Sequence, residues 1–456
     1  MRKNSKIHPS PLHILSPGQM MVAGFGFLIL LGAVLLTSPL SSANGTSTSF
    51  IDALFTATSA VCVTGLVVVD TSIHWSIFGK VVIILLIQVG GLGFMTLGTL
   101  VALIFGKKIN LRQRILIKEA LNQDDLSGSV KLIKKVLKYT LVIEGLGALL
   151  LSFAFIPQFG FLKGIGYSIF TSISSFCNAG FDLMGSISGE YSSIVSYYNR
   201  PLIVFTISAL IILGGIGFPV IINIVNKRHL KKLSLNSKMA LVTTAILIVG
   251  GFLMIFLGEV GHALHGMTLW EKFQVAFFQS VTTRTAGYAT IDLTQFREST
   301  LFVMIILMFI GASPASTGGG IKTTTAAVLF IAVKSFIKNE NEITVQHKRI
   351  NVFTFRKALG IFIIAITIAV LGVYLLSITQ DPKHFDILSC SFEVSSALAT
   401  VGLSLAGSYH LNGVGKVIIM VLMFAGRVGS LTIFTAFISE NKRKRVRYPE
   451  AKVLVG

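Results

Sequence analysis

Long apolar runs recur along the whole sequence, and they restrict the possible folds more than any other feature. A helix of about 20 apolar residues crosses the ~30 Å hydrocarbon core of a bilayer. Eight runs of this kind lie at about 19–39, 78–105, 136–156, 200–226, 240–258, 300–333, 358–378 and 414–438. Charged residues make up only 13% of the 456 residues, about half the usual share in soluble proteins. The sequence therefore predicts an all-α polytopic membrane protein.

Basic residues are concentrated in alternate loops between these runs. Of the 39 Lys and Arg residues, 29 lie in five segments that contain only seven acidic residues, namely 1–18, 106–138, 227–238, 334–357 and 440–456. An excess of Lys and Arg marks cytoplasmic loops. We therefore expect a multi-pass protein of the cell membrane with both termini cytoplasmic and an even number of crossings. This topology explains the net charge of +20 without nucleic-acid binding.

A short polar segment lies inside each successive pair of apolar runs, and the four segments share one pattern. Each has a Phe ten residues before a Gly, and a bulky apolar residue follows that Gly. The four pairs are Phe55 and Gly65, Phe170 and Gly180, Phe277 and Gly287, and Phe392 and Gly402. The segments are too short to cross a bilayer. The pattern predicts four tandem helix–pore loop–helix repeats, with eight transmembrane helices and four re-entrant pore loops around one pore.

Two further positions repeat together with these glycines. A serine lies six residues before the Gly in three copies (Ser59, Ser174 and Ser396), whereas the third copy has Val281. A second glycine cluster follows 24 or 25 residues later, or 34 residues later in the second copy, which has a longer polar loop. A single glycine of this kind often only allows close helix packing. Four glycines with the same offset from Phe, each followed by a second glycine cluster, favour pore loops instead.

These patterns divide the chain into four repeats and five cytoplasmic segments. The repeats span 19–105, 136–226, 240–338 and 358–438, with pore loops at about 52–66, 168–181, 273–288 and 388–403. The cytoplasmic segments are 1–18, 106–135, 227–239, 339–357 and 439–456.

The pore loops have the composition expected of a potassium filter. Irregular backbone at membrane depth must be buried in protein or line water. Potassium filters replace the hydration shell of the ion with rings of backbone carbonyls, and glycine permits the positive φ that turns successive carbonyls toward one axis. K⁺ is thus expected to bind through backbone carbonyls of a filter comprising Val63, Thr64, Gly65, Asn178, Ala179, Gly180, Thr285, Ala286, Gly287, Thr400, Val401 and Gly402.

A Gly- and Pro-rich segment interrupts the second apolar run of the third repeat. Residues of these types at such density do not maintain a regular helix. We expect the segment to face the lumen below the filter as a movable gate, with a static kink as the alternative. Arg427 is an intramembrane charge that serves as a positive barrier, binds carbonyls of this segment, or only extends to the membrane surface. The predicted gate comprises Gly311, Ala312, Ser313, Pro314, Ala315, Ser316, Thr317, Gly318, Gly319, Gly320, Lys322 and Arg427.

Other reactive side chains lack a catalytic arrangement. Arg284 lies three residues before Gly287, where its charge would oppose cation flow, so we expect it behind the filter and directed toward Glu393. The cysteines have no disulfide or metal spacing and are predicted to be buried. The sequence contains no phosphate-binding motif, metal-ligand cluster or nucleophile–base pair. We therefore expect neither enzymatic activity nor an organic cofactor.

The pore-loop motifs resemble those of the Trk/Ktr/HKT superfamily of potassium transporters, and most closely its bacterial Ktr-type membrane subunits. The resemblance rests on residues 60–70, 88–95, 178–181, 283–287, 402–403, 426–429 and 447–449, and it covers essentially the whole chain. It implies a K⁺-translocating subunit that forms a homodimer with one pore in each protomer. It also implies a cytosolic ring of nucleotide-binding regulatory subunits that respond to ATP and ADP. Many members depend on Na⁺.

A channel-like K⁺ transporter is thus the function expected from the sequence. The alternative is a Na⁺- or H⁺-coupled secondary carrier of another cation or small solute, which would place broken helices in two inverted halves. The four repeats here share one orientation instead. Segments 106–138 and 227–238, with the C-terminal tail, are expected to bind either the regulatory partner or anionic membrane lipids.

Overall fold

The computed structural model describes residues 17–93, 129–227, 229–340 and 342–429, most of which are helical. The main helices are α1 (Pro17–Thr37), α2 (Phe50–Cys62), α3 (Ile77–Leu92), α4 (Ser129–Phe159), α5 (Phe161–Phe176), α6 (Pro201–Ile216), α7 (Phe218–Lys227), α8 (Leu235–Glu259), α9 (Leu269–Thr282), α10 (Glu298–Phe309), α11 (Thr323–Ile337), α12 (Val352–Thr379), α13 (Ile387–Ala399) and α14 (Gly413–Val428). A two-stranded antiparallel pair, β1 (Thr344–Val345) and β2 (Lys348–Arg349), lies in the predicted cytoplasmic loop 339–357. This small pair departs from the all-α prediction.

Four of the described helices, α1, α4, α8 and α12, are long and apolar enough to cross a membrane. The pair α6 and α7 would form a fifth crossing, although the two helices meet at 94°. Five crossings rather than eight therefore satisfy the length criterion among the described residues. The predicted run 300–333 is divided between α10 and α11. Runs 78–105 and 414–438 extend outside the described residues after Gly93 and Gly429.

Three long helices begin before the apolar runs that predict them. The helices α4, α8 and α12 start at Ser129, Leu235 and Val352, whereas the runs start at 136, 240 and 358. Hydropathy marks the part of a helix that lies in hydrocarbon, and a helix can continue past it into water. The predicted loops 106–135, 227–239 and 339–357 are correspondingly shorter at their C-terminal ends. Most of segments 1–18 and 106–135, and all of 439–456, lie outside the described residues.

Side-chain caps fix where three of the four short helices that precede the repeated glycines begin. Ser49 Oγ accepts from Asp52 N at 3.3 Å at the start of α2. Thr268 and Glu271 form a capping box at the start of α9. Asp386 Oδ1 accepts from Ser389 N at 2.8 Å at the start of α13. Because a cap satisfies N–H groups that the first turn leaves unpaired, each of these helices begins at a defined residue.

The helices pack as four consecutive blocks, α1–α3, α4–α7, α8–α11 and α12–α14. In each block a short helix (α2, α5, α9 or α13) packs against a helix that flanks it in the chain. The contacts α3 with α5, α6 with α9, α10 with α13, and α14 with α2 join each block to the next. The last contact returns to the first block, where Lys416 Nζ forms an ion pair with Asp52 Oδ1 at 2.6 Å. The four blocks therefore form a closed circle.

Candidate functional site

Each short helix ends in a loop whose glycine approaches the glycine of the next loop. A Cβ atom on Gly65 would lie 3.1 Å from the Cα of Gly180, and one on Gly180 would lie 3.0 Å from that of Gly287. The corresponding distances are 3.1 Å from Gly287 to Gly402 and 3.0 Å from Gly402 to Gly65. The contacts thus return to their starting point. These four residues form a closed arrangement, the glycine ring, and the loops that contain them are the ring loops.

The carbonyl that precedes each ring glycine faces a neighbouring ring loop. A Cβ atom on Gly65 would lie 2.5 Å from Ala179 O, one on Gly180 would lie 2.6 Å from Ala286 O, and one on Gly287 would lie 2.6 Å from Val401 O. A Cβ atom on Gly402 would clash with Thr64 O in the same way. Real Cβ atoms essentially never approach other heavy atoms this closely. Any residue larger than glycine would therefore displace the adjacent loop.

All four ring loops share one backbone conformation. The φ angle is positive at the ring glycines and again two residues earlier, at Val63 (57°), Asn178 (58°), Thr285 (67°) and Thr400 (52°). Positive φ is strained for β-branched residues, and three of these four residues are β-branched. Such strain persists only where the surroundings fix it, and it clusters at functional sites. The repeated strain indicates that ring-loop geometry is held for a purpose beyond stability.

Hydroxyl groups from the short helices hold the ring loops. In the first and fourth copies, Ser59 Oγ accepts from Gly65 N at 3.1 Å and Ser396 Oγ accepts from Gly402 N at 3.0 Å. In the second copy Ser174 Oγ instead donates to Phe181 O at 2.7 Å. In the third copy the neighbour of Val281, Thr282, donates to Tyr288 O at 2.7 Å. The serine spacing was visible in the sequence, but its role in bonding the loop was not.

The second glycine clusters allow the following helix to pack against the ring loops. A Cβ atom at Gly90, Gly214 or Gly426 would clash with the carbonyl oxygen four residues before a ring glycine, that of Val61, Phe176 or Leu398, respectively. In the third copy Gly311 instead contacts Gly319. The glycine at this position therefore allows the following helix to approach a ring loop in the first, second and fourth copies. In the third copy it allows residues 311 and 319 of one segment to approach each other.

Residues 310–322 form no helix between α10 and α11, as predicted. Ile310 and Ile321 form a parallel bridge, and Ala312 N donates to Gly319 O at 3.3 Å. The segment is bound to the end of α6, because Ser313 N donates to Gly215 O at 2.9 Å and Thr317 N donates to Gly214 O at 3.3 Å. Ala315 O in turn accepts from Phe218 N at 3.0 Å.

The 310–322 segment lies directly against three ring loops. Thr317 Oγ1 donates to Asn178 Oδ1 at 3.2 Å. A Cβ atom on Gly318 would lie 3.1 Å from Thr285 Cβ, and one on Gly319 would lie 2.9 Å from Thr400 Cγ2. Each contacted ring-loop residue lies two positions before its ring glycine. The structure thus brings the predicted filter residues and the predicted gate residues together.

Two cations bind backbone carbonyls of this segment rather than carboxylates. Arg427 donates to Thr317 O, and to Gly90 O and Gly91 O in α3, the last at 3.1 Å. Lys322 Nζ donates to Gly318 O at 2.7 Å. Arg427 is therefore directed into the protein, in agreement with binding to the segment and not with extension to the membrane surface.

The expected pairing of Arg284 with Glu393 is wrong. Arg284 is 5% exposed and donates to Thr244 O and Gly311 O, each at 3.3 Å. Glu393 instead accepts from the hydroxyls of Ser404 and Ser408. Gly311 O lies just past the end of α10, where carbonyl groups lack helical partners, and together with Thr244 O inside α8 it satisfies the guanidinium. The expectation considered only carboxylates as acceptors.

The remaining candidate residues line the same region. Val63, Thr64, Ala179, Ala286 and Val401 are fully buried. In the 310–322 segment, Ala312 and Ser313 are buried, Pro314 O approaches Gly217, and Gly320 has a φ of 68°. Ser316 Oγ has no hydrogen-bond partner among the described residues. Cys62, Cys177 and Cys390 are buried, as predicted, and their thiols are free.

Known proteins similar to this chain fall into one group. A family model described as "TrkH: Cation transport protein" matches residues 19–446. The potassium/sodium uptake protein NtpJ of Enterococcus hirae is 43% identical over 446 residues, which cover 97% of this chain and 98% of that protein. The Ktr system potassium uptake protein B of Bacillus subtilis is 39% identical over 97% of both chains. The potassium transporter TrkH of Vibrio parahaemolyticus shares the fold, with a TM-score of 0.71 at 18% identity over 96% of this chain and 87% of its own.

Proposed function

Because this chain belongs to the TrkH family of cation transport proteins, we propose that it carries K⁺ across the cell membrane through the glycine ring. The closed contacts of the four ring glycines are the observation on which the proposal depends. The names of the relatives from E. hirae and B. subtilis, both potassium uptake proteins, support K⁺ as the transported ion. In this proposal the four blocks are helix–pore loop–helix repeats with eight crossings around one pore.

The ring loops bind the ion with backbone carbonyls in place of water. The proposed filter consists of the three residues that end at each ring glycine, residues 63–65, 178–180, 285–287 and 400–402. Positive φ at two of the three residues in each loop supports this role, because it lets successive carbonyls turn toward one side. The short helices α2, α5, α9 and α13 end at the ring loops. Their C-terminal dipoles therefore favour a cation there.

The gate in this proposal consists of residues 311–320 with Lys322 and Arg427. The segment contacts three ring loops, so an ion leaving the filter would meet it next. Arg427 and Lys322 bind its carbonyls, and these bonds keep the segment under the ring. Movement of the segment away from the ring would open the pathway. Shortening the segment within 312–320 should therefore raise basal K⁺ flux, whereas unchanged flux in a folded variant would contradict gating.

Growth of a potassium-uptake-deficient bacterial strain tests the transport proposal. The wild-type chain should restore growth and ⁸⁶Rb⁺ uptake at low external K⁺, and Gly287→Ser should abolish both. Gly250→Ser is the matched control, because a Cβ atom at Gly250 meets nothing within 4 Å. Failure of the wild-type chain to restore uptake, despite its presence in the membrane, would reject the proposal. Equal activity of Gly287→Ser and wild type would reject the glycine ring as the pathway.

Sodium is the second ion that the chain is proposed to use. The E. hirae relative is named a potassium/sodium uptake protein. The alternative function, a Na⁺- or H⁺-coupled carrier, predicts that collapse of the Na⁺ or H⁺ gradient stops uptake in proteoliposomes even when K⁺ remains higher outside. A channel-like pathway predicts continued uptake down the K⁺ gradient.

Assembly with other chains completes the proposal. The B. subtilis relative is named as part of a Ktr system, which supports a membrane subunit that works with a separate regulatory component. We propose a homodimer, a cytosolic ring of nucleotide-binding subunits and cytoplasmic termini. Light scattering of the purified chain, and its co-purification with a ring-forming partner in ATP or ADP, would test these points.

A further inference from the structure

One ring loop differs from the other three at the position two residues before the ring glycine. This position has Val63, Thr285 and Thr400 in three loops but an amide side chain, Asn178, in the second. Asn178 is fully buried. A buried amide is costly unless its donors and its acceptor are bonded. The partners of Asn178 therefore show what this amide connects.

The two ends of the Asn178 amide contact different parts of the molecule. Its Nδ2 donates to Arg284 O and to Thr285 Oγ1, both at 3.2 Å and both in the third ring loop. Its Oδ1 accepts from Thr317 Oγ1 at 3.2 Å, in the 310–322 segment. The Thr317 hydroxyl also donates to Phe176 O at the end of α5, at 3.1 Å, so its one hydrogen is shared between two acceptors of the second copy. One side chain thus joins two ring loops to the segment beneath them.

The Asn178–Thr317 pair packs directly against a glycine of α6, Gly214. A Cβ atom at Gly214 would lie 2.7 Å from Asn178 Oδ1 and 2.9 Å from Thr317 Oγ1. Gly214 O also accepts from Thr317 N at 3.3 Å. The glycine therefore provides the space in which the two side chains meet, and its carbonyl fixes the backbone of Thr317.

Thr317 is bonded from the opposite side as well. Its carbonyl oxygen accepts from Arg427 in α14, while its hydroxyl donates toward the second ring loop. If the segment moves away from the ring, Thr317 loses its bond to Asn178 and its bond to Arg427 together. The position of the segment and the bonding of two ring loops are therefore linked through Thr317 and Asn178.

We propose that Asn178 is a positioning residue whose side-chain amide couples the gate segment to the filter. This inference rests on the proposed function. In the closed state the Thr317–Asn178 hydrogen bond stabilises the segment under the ring, while the Asn178–Thr285 bond fixes the geometry of the second and third ring loops. Loss of the first bond favours an open gate, and loss of the second relaxes discrimination between K⁺ and Na⁺.

Substitutions at the two ends of the amide should therefore have different effects. Thr317→Val removes one hydroxyl donor and should raise basal K⁺ flux about two- to tenfold, the change expected for one net hydrogen bond. Thr285→Val removes one of the two acceptors at the other end and should lower the K⁺/Na⁺ flux ratio more than it changes basal flux. Thr317→Ser retains the hydroxyl and should reverse most of the effect of Thr317→Val.

A double-mutant cycle in proteoliposomes tests whether the two side chains act through each other. Basal ⁸⁶Rb⁺ flux should rise in Thr317→Val and in Asn178→Ala, and the double variant should exceed neither by much. Effects that multiply, or no change in Thr317→Val, would overturn the coupling. Thr367→Val, which removes a hydroxyl bonded within α12, is the control for hydroxyl loss elsewhere.

The same vesicles separate failure of this inference from failure of the proposed function. If the wild-type chain carries no K⁺, the proposed function itself is rejected. If it carries K⁺ but the cycle shows independent effects, only the coupling is rejected. Gel-filtration profiles that match wild type confirm that each variant is folded.

Discussion

The glycine ring and the 310–322 segment beneath it are built on opposite rules. The ring repeats one arrangement four times, with Cβ-to-Cα separations of 3.0–3.1 Å and positive φ at equivalent residues. The segment belongs to the third block, and it presents a different residue to each ring loop that it contacts. Thr317 lies against Asn178, Gly318 against Thr285 and Gly319 against Thr400. In the proposed function, equal coordination of an ion requires four equivalent ring loops, whereas control of its passage requires only one segment that moves.

The forces that hold the two regions differ in the same way. Most ring-loop bonds named above lie within one copy, such as that from Gly65 N to Ser59 Oγ, and the Asn178 amide adds bonds between the second and third loops. The segment depends on bonds to other blocks, from Arg427 in α14 and to Gly214 and Gly215 at the end of α6. A charge-assisted hydrogen bond contributes about 1.5–3 kcal/mol and a neutral one about 0.5–1.5 kcal/mol. A few such bonds can be broken together without loss of the ring.

Replacement of each ring glycine by Ala is expected to have the largest effect, and the same effect at all four positions. Gly65, Gly180, Gly287 and Gly402 have φ between 70° and 98°, where a Cβ atom costs about 1–2 kcal/mol before its clash with the adjacent loop. K⁺ uptake should fall at least about tenfold in every variant. Uptake of ⁸⁶Rb⁺ by cells with equal amounts of each variant measures this.

The control for this series is Gly250→Ala, since Gly250 lies in α8 with open space around its Cβ position. Wild-type uptake by one of the four ring variants would contradict the equivalence of the ring loops. The contrast between four equivalent ring loops and one asymmetric segment would then no longer hold.

Arg427→Ala should have a smaller effect that is opposite in sign. It removes the bonds to Thr317 O and to the carbonyls of Gly90 and Gly91, so the segment leaves the ring more readily. Loss of a charge-assisted bond alone would allow a rise of more than about tenfold. Because the bonds from Ser313 N and Thr317 N to the end of α6 remain, basal flux should rise by up to about tenfold. The K⁺ concentration at half-maximal uptake should change less than the maximal rate, because the ring is untouched. A lower protein yield with unchanged flux per molecule would instead indicate a purely structural role.

The ring could be predicted from the sequence because its geometry depends on glycine. Positive φ and close approach of backbones require this residue, so the four copies retain a Gly at one offset from Phe. The segment was also predicted, since Gly and Pro between residues 311 and 320 do not support a helix. In both cases the backbone requirement is visible in the residue types themselves.

The contacts between ring and segment could not be predicted in the same way. Arg427 and Thr317 are 110 residues apart, and Asn178 and Thr317 are 139 apart. Side-chain direction and the order of the blocks decide these contacts, and neither can be read from the spacing of residues in the sequence. The pairing of Arg284 with Glu393 was wrong because a guanidinium at a broken helix can bind carbonyls. The helices α4, α8 and α12 begin five to seven residues before their apolar runs, because hydropathy does not detect helical turns outside the hydrocarbon.

The smallest expected effect concerns an acidic residue that directly follows the second ring loop. Two residues after the ring glycine, the second copy has Asp182, where the other copies have Val67, Ala289 and Ser404. Burial raises the pKa of Asp182 from 3.8 to about 6, although the N–H of Met184, which its Oδ1 accepts at 2.9 Å, opposes this shift. The carboxylate is therefore negative above pH 6 and attracts cations, and it becomes neutral as the external pH falls through about 6.

Lowering the external pH from 7.5 to 5 should thus reduce K⁺ uptake by about twofold, the size of one screened charge at several ångströms. Asp182→Asn retains the oxygen that accepts from Met184 N and should show the lower rate at every pH. Asp292→Asn, which removes an exposed carboxylate five residues after Gly287, is the control and should keep the pH dependence of wild type. The same pH dependence in Asp182→Asn would place the titrating group elsewhere. In that case the carboxylate after the second ring loop would not distinguish this loop functionally from the other three.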